Sequence, residues 1–115
     1  MTDDPVFART PAPPYYAVIF TTRRTAGDNG YEAMAHRMAA LAATMPGYLG
    51  AESVRAQDGA GITVSYWESE AAILNWKRNA DHVAAREHGR RDWYQHYELR
   101  VAKVERAYAF TRQAD

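Results

Sequence analysis

From Tyr15 to Arg23 the chain reads YYAVIFTTR, a run of aromatic and β-branched residues that predicts a strand. Its two sides are Tyr15, Ala17, Ile19, Thr21 and Tyr16, Val18, Phe20, Thr22, and both are largely apolar. Asp28-Asn29-Gly30 then marks a turn, with Asp28 or Asn29 as the expected helix N-cap. Tyr31, Met34, Ala35, Met38, Leu41, Ala42 and Met45 recur at helical spacing until Pro46-Gly47 ends the pattern. A weaker strand is expected over Leu49 to Gln57, a hairpin at Asp58-Gly59, and a third strand over Ile62 to Trp67. Ser69 is positioned to cap a helix that begins at Glu70. That helix is expected to reach about Asn79, with a break there and a continuation to about Arg90 as the alternative. Trp93 to His96 is expected as a connector and Tyr97 to Phe110 as a long final strand.

Strand, helix, strand, strand, helix, strand is the βαββαβ order of a ferredoxin-like α+β sandwich. It implies a four-stranded antiparallel sheet with both helices on one face. The apolar back of that sheet is the informative feature. In the last strand Tyr97, Leu99 and Val101 share one parity while Val104, Tyr108 and Phe110 share the other, a change that a bulge near Ala102-Lys103 could produce. No bulge removes the two apolar sides of the first strand. A contiguous apolar face above ~600 Å² is unusual on a soluble monomer. A homodimer is therefore expected, with the two sheets facing each other around a barrel-like interior.

The domain is expected to span 15–110, behind an extended, proline-rich arm over 1–14 and ahead of a short tail over 111–115. With 115 residues, a second core would be too small to stand alone. Fourteen Lys+Arg balance fourteen Asp+Glu. That balance argues against a nucleic-acid partner, which calls for a basic excess. There is no apolar run long enough to span a bilayer, and the first ten residues lack the pattern of a signal peptide, so a cytoplasmic protein is expected. The absence of cysteine removes disulfides, thiolate metal sites and a thiol nucleophile.

Three stretches carry a resemblance: Met45-Pro46-Gly47-Tyr48-Leu49-Gly50, Gly61 to Ser69 (GITVSYWES), and Ala71-Ala72-Ile73-Leu74-Asn75-Trp76. Together they resemble the antibiotic biosynthesis monooxygenase family, over about Tyr15 to Phe110. The resemblance implies a dimeric α+β barrel and a cofactor-independent oxygenase acting with molecular oxygen on a small or polycyclic aromatic phenol or quinol. Alternatives are a non-catalytic binding protein of the same fold and a heme-degrading monooxygenase. The heme branch calls for an Asn in the first strand, a Trp in the second helix and a His about ten residues later. Here the first strand offers Thr21 and Thr22, Trp76 matches, and Arg86 occupies the His position.

Candidate site residues follow from their chemistry. His82 is the first choice for general base, with His88 next, because an imidazole titrates in the range that suits proton removal from a phenol. Arg86, in a cluster with Arg90 and Arg91, could hold a phenolate-like anion through its planar fork of donors, although a solvated helix end also explains it. Trp67, Trp76, Tyr16, Tyr66, Tyr94 and Tyr97 are candidates for an aromatic pocket, with core or interface packing as the alternative for each. The histidines show no metal-ligand spacing, and no glycine-rich phosphate loop is present, so neither a metal nor a cofactor is expected.

Overall fold

A computed structural model describes residues 4–28, 30–86 and 93–113 of the chain, without the side chains of 84–86. Six elements follow in order: β1 (Tyr15–Arg24), α1 (Tyr31–Thr44), β2 (Tyr48–Arg55), β3 (Ala60–Trp67), α2 (Glu70–Arg86) and β4 (Tyr94–Val104). The strands form one antiparallel sheet in the order β2-β3-β1-β4. This is the ferredoxin-like arrangement that the alternation of strands and helices predicts. Among the described residues no helix is long and apolar enough to cross a membrane.

Local chemistry sets the element ends. The Asp28 carboxylate accepts from the Gly30 and Glu32 backbone N–H groups at 3.0 and 3.2 Å, which satisfies donors that the first turn of α1 leaves open. Gly47, at φ 84°, lies where a β-carbon would come within 2.7 Å of the Ala72 Cβ. Only glycine lets that loop pass flush against α2. The Ser69 hydroxyl accepts from the Ala72 N–H at 3.1 Å, the capping bond expected of it. The β2–β3 turn closes on Asp58, whose carboxylate accepts from the Ala60 N–H at 3.0 Å.

Several boundaries differ from expectation. β2 stops at Arg55, because the turn already begins at Ala56. α2 does not break at Asn79. The Asn79 amide donates back to the Asn75 carbonyl at 2.8 Å and Lys77 pairs with Asp81, so the helix continues to Arg86. β4 begins at Tyr94, which pairs with Arg24 across a register shift between Arg23 and Arg24. It ends at Val104, opposite Tyr15, where β1 begins. Beyond that point Pro13-Pro14 offers no N–H to extend the ladder. No bulge stands at Ala102-Lys103: both residues pair regularly, with Ala17 and Tyr16.

The register assigns the two sides of the sheet. Tyr16, Val18, Phe20 and Thr22 face the helices, together with Trp67, Tyr97, Leu99 and Val101. Val18 and Trp67 close a core with Ala42 of α1 and Ile73 of α2, and Tyr16, Met45, Tyr48 and Trp76 pack around it. α1 contacts β2 and α2 contacts β3, so the helices sit over one half of the sheet. Over the other half, Leu99 and Val101 keep 42% and 47% of their surface exposed.

The opposite side carries Tyr15, Ala17, Ile19, Glu52, Val54, Ile62 and Tyr66. The N-terminal arm lies across one corner of it. The Ala8 N–H donates to Glu52 Oε2 at 3.0 Å, and the Thr10 hydroxyl donates to the Tyr15 oxygen at 3.0 Å. Tyr66 donates to Glu52 Oε1 at 2.6 Å and meets Tyr15 edge-on. Tyr15 is thereby buried by the protein's own arm rather than left bare.

Candidate functional site

The uncovered half of the helix-side sheet face is where the chain concentrates rings. Phe20, Tyr94 and Tyr97 form a mutually touching triad, with centroids 5.2 to 5.7 Å apart. Register explains it. Phe20 and Tyr97 are near neighbours on β1 and β4, and the shift at Arg23/Arg24 brings Tyr94 alongside them. Tyr31, the first residue of α1, meets Tyr94 edge-on at 5.8 Å and Trp93 at 6.4 Å. Next along β4 come the half-exposed Leu99 and Val101. The result is a strip with aromatic rings at one end and aliphatic side chains at the other.

Two guanidinium groups brace the aromatic end. Arg24 sits over the Tyr31 ring, its Cζ 3.7 Å from the centroid, a cation–π contact. Arg55 crosses the sheet to donate to the Thr22 hydroxyl at 3.1 Å and the Tyr31 oxygen at 3.0 Å. It can cross because the residue beneath it is Gly61, where a β-carbon would meet the guanidinium at 2.7 to 2.9 Å. Burial, first, and the adjoining Tyr31 phenol, second, push the Tyr94 hydroxyl well above the usual phenol range, with Arg55 and Arg24 opposing them. Tyr94 is therefore a neutral hydrogen-bonding group throughout the physiological range.

The aromatic candidates from the sequence divide into three groups. Tyr94 and Tyr97 lie in the strip. Trp67, Trp76 and Tyr16 belong to the core beneath the helices. Trp67 has no accessible surface, its indole N–H donates to Ser65 Oγ at 2.9 Å, and Trp76 stacks on it. Tyr66 stands on the opposite side of the sheet, tied to Glu52, so it shares no pocket with the others. Burial raises its hydroxyl first, and the Glu52 carboxylate second.

His82 is exposed on α2, while Ala80 and Val83 are half-buried. Arg86 is the last residue of α2, its side chain outside the described residues, and His88 also lies outside them. Phe20, Tyr31, Arg24 and Arg55 belong to the site although the sequence reading does not single them out. The parity of β1 carries the signal for Phe20. For Arg55 there is none, because its position depends on the glycine of a neighbouring strand. A polar cavity of about 610 Å³ opens at the end of the sheet, between the β1–α1 loop and the β2–β3 turn. Arg23, Arg24 and Arg55 reach it, but each already donates to a carbonyl of those loops.

Comparison with known proteins places this arrangement. The model of a family described as antibiotic biosynthesis monooxygenase matches residues 17–88. The chain is 54% identical over 103 residues to the uncharacterized protein YqjZ of Bacillus subtilis, covering 90% of each. It is 30% identical over 94 residues to a jasmonate monooxygenase of Pyricularia oryzae, covering 77% of this chain and 43% of that longer protein. In structure it resembles SnoaB, a cofactor-independent oxygenase from Streptomyces nogalater, with a TM-score of 0.66, 13% identity, and 81% and 95% of the two chains covered. At that identity the likeness concerns the fold.

Proposed function

This chain belongs to the antibiotic biosynthesis monooxygenase family, and from that premise we propose that it oxidises a planar aromatic phenol or quinol with molecular oxygen. The observation that carries the reading is the strip itself. A flat apolar ring fits against Leu99 and Val101, edge-on to the Phe20–Tyr94–Tyr97 triad, and the Tyr94 hydroxyl supplies one fixed polar contact. Loss of the phenolic proton makes the ring electron-rich enough to pass one electron to oxygen. Recombination at carbon then forms a C–O bond, and loss of water from the hydroperoxide leaves a quinone. Ring hydrogen and both oxygen atoms are accounted for, since one oxygen enters the product and the other leaves as water.

In this proposal the substrate supplies the electrons, and the protein excludes water, orients the ring and steadies the anion. Proton removal is assigned to His82 or His88 and charge stabilisation to Arg86, the residues whose chemistry suits those roles. The active species is a homodimer joined through the sides of the sheets away from the helices. Oxygen uptake with a panel of naphthols and hydroquinones tests the reading. Val101→Glu, which sets a carboxylate on the strip, and Arg86→Ala should each abolish uptake while the far-UV spectrum is kept. Uptake unaffected by Val101→Glu would overturn the placement.

One observation favours a second reading. Among the described residues of the helix-side sheet face there is no histidine and no carboxylate. A protein that binds aromatic molecules without turning them over would need none. Saturable binding with no oxygen consumption across the panel would select that reading.

A further inference from the structure

The polar cavity of about 610 Å³ at the end of the sheet gathers three guanidinium groups that no step of the proposed oxidation uses. Each arrives by its own route. Arg23 and Arg24 are consecutive at the end of β1, where the register shift against β4 falls between them. Arg55 crosses from β2 over Gly61. Two carboxylates also line the cavity, and both are engaged. Asp28 accepts from the first turn of α1. Asp58 accepts from the Ala60 N–H and pairs with Arg23 at 3.6 Å. Among the described residues no carboxylate pairs with Arg24 or Arg55.

Neutral oxygens hold these two side chains instead. Arg24 donates through Nη2 to the Gly27 and Asp28 carbonyls, each at 3.2 Å. Arg55 donates to the Gly59 carbonyl, the Thr22 hydroxyl and the Tyr31 oxygen at 2.9, 3.1 and 3.0 Å. Such partners place a guanidinium without cancelling its charge. Nor do they occupy all of its donors, since the group carries five N–H bonds. Among the described residues Arg24 Nη1 has no acceptor, and Arg24 Nε is closed off from water with no partner. A buried donor left open in this way calls for a reason. Negative charge brought to the cavity wall offsets its cost, because it acts on the whole delocalised group. Three arginines against two aspartates leave the lining one positive charge in excess.

We propose that this cavity binds a small organic anion with a single carboxylate, whose oxygens lie on Arg24 and Arg55. The excess of one charge selects a monoanion. A doubly charged phosphate would overfill it, with Asp28 and Asp58 in the same walls. The planar fork of a guanidinium matches the two oxygens of a carboxylate. The volume lies in the range of small-molecule sites and exceeds many times the ~30 Å³ of one water, so the ligand has a body behind its charge. Gln57 and Gln95 line the same cavity, which suits a hydroxylated body over an apolar one. The site has Tyr31 as a neighbour in common with the aromatic strip, but it stands without the oxidation proposed above.

The test follows the arginine side-chain Nε–H signals of the isotope-labelled full chain by nuclear magnetic resonance. Acetate, glycolate and gluconate are the probes, with chloride and inorganic phosphate at matched ionic strength as comparisons. The expected result is a saturable shift of the Arg24 and Arg55 signals with at least one carboxylate, while those of Arg9, Arg37 and Arg100 stay put. Arg55→Gln should weaken that binding about tenfold, read at Arg24, with the far-UV spectrum unchanged. No saturable shift with any of the three carboxylates overturns the proposal. An equal drift of every arginine signal also overturns it, since that is screening and not a site. Phosphate bound more tightly than all three carboxylates overturns the choice of a monoanion. Wild-type affinity in Arg55→Gln overturns the placement of the carboxylate.

Discussion

Trp67 and Trp76 stack with ring centroids 6.0 Å apart and planes 21° from parallel, the last residue of β3 against the middle of α2. Tyr48 closes on Trp67 from β2 at 5.3 Å, edge-on. The stack joins the helix layer to the sheet at the one large side chain that is entirely buried among the described residues. Trp67→Ala should therefore cost about 3–5 kcal/mol, the range for deleting a buried indole, because the surrounding strands cannot collapse into the void. Trp76→Ala should cost less, since that ring is only partly covered. Urea unfolding followed by circular dichroism would rank the two, and equal costs would show that the stack, not the burial of Trp67, is the stabilising element.

Arg55 and Gly61 form a second pair in which one residue exists for the other. Gly61→Ala would drive a methyl group into the guanidinium and displace it from Thr22 and Tyr31. A loss of about 0.5–1.5 kcal/mol is expected, the net worth of hydrogen bonds that an exposed, flexible side chain gives up to water. In an Arg55→Ala background the same change should be neutral or stabilising by up to ~1 kcal/mol, because a strand glycine costs unfolded-chain entropy. A double-mutant cycle measured by denaturant unfolding checks it, and additive effects would contradict the coupling.

Tyr48, Tyr66 and Tyr94 share a direction. Burial raises all three hydroxyls above the ordinary phenol value of 10.0. The native state then holds protons that the unfolded chain releases above that pH, so their contribution to stability is full below pH 10.0 and falls as pH rises toward the native values. Melting temperature should decline steeply above pH 10.0, and the decline should be shallower in Tyr66→Phe and Tyr94→Phe. Absorbance near 295 nm should show these phenols ionising together with unfolding. Their titration in a still-folded protein at that pH would contradict the assignment.

Much of the fold is legible in the amino-acid sequence. The run of aromatic and β-branched residues marks β1, a shorter run over Ile62 to Trp67 marks β3, the helical period marks α1, Ser69 marks the start of α2, and Asp58-Gly59 marks the hairpin. Each rests on interactions within a few residues of chain. The ends of β4 are not legible, because they depend on where β1 begins and on a register shift at Arg23/Arg24. The N-terminal arm reads as a loose proline-rich lead until Glu52, 44 residues from Ala8, supplies its acceptor.

The sequence by itself determined the kinds of elements, their order, and which side chains share a side of β1 and of β3, which pair without a register shift, since those follow from local backbone geometry. Only the tertiary structure decided which of the two apolar sides of β1 meets the helices. That choice buries Trp67, sets Tyr66 apart from the other candidate rings, and gathers Phe20, Tyr94 and Tyr97 into one strip. Parity along a strand is an internal property of the chain. What lies against each side depends on partners distant in sequence, and on the register and packing that bring them there.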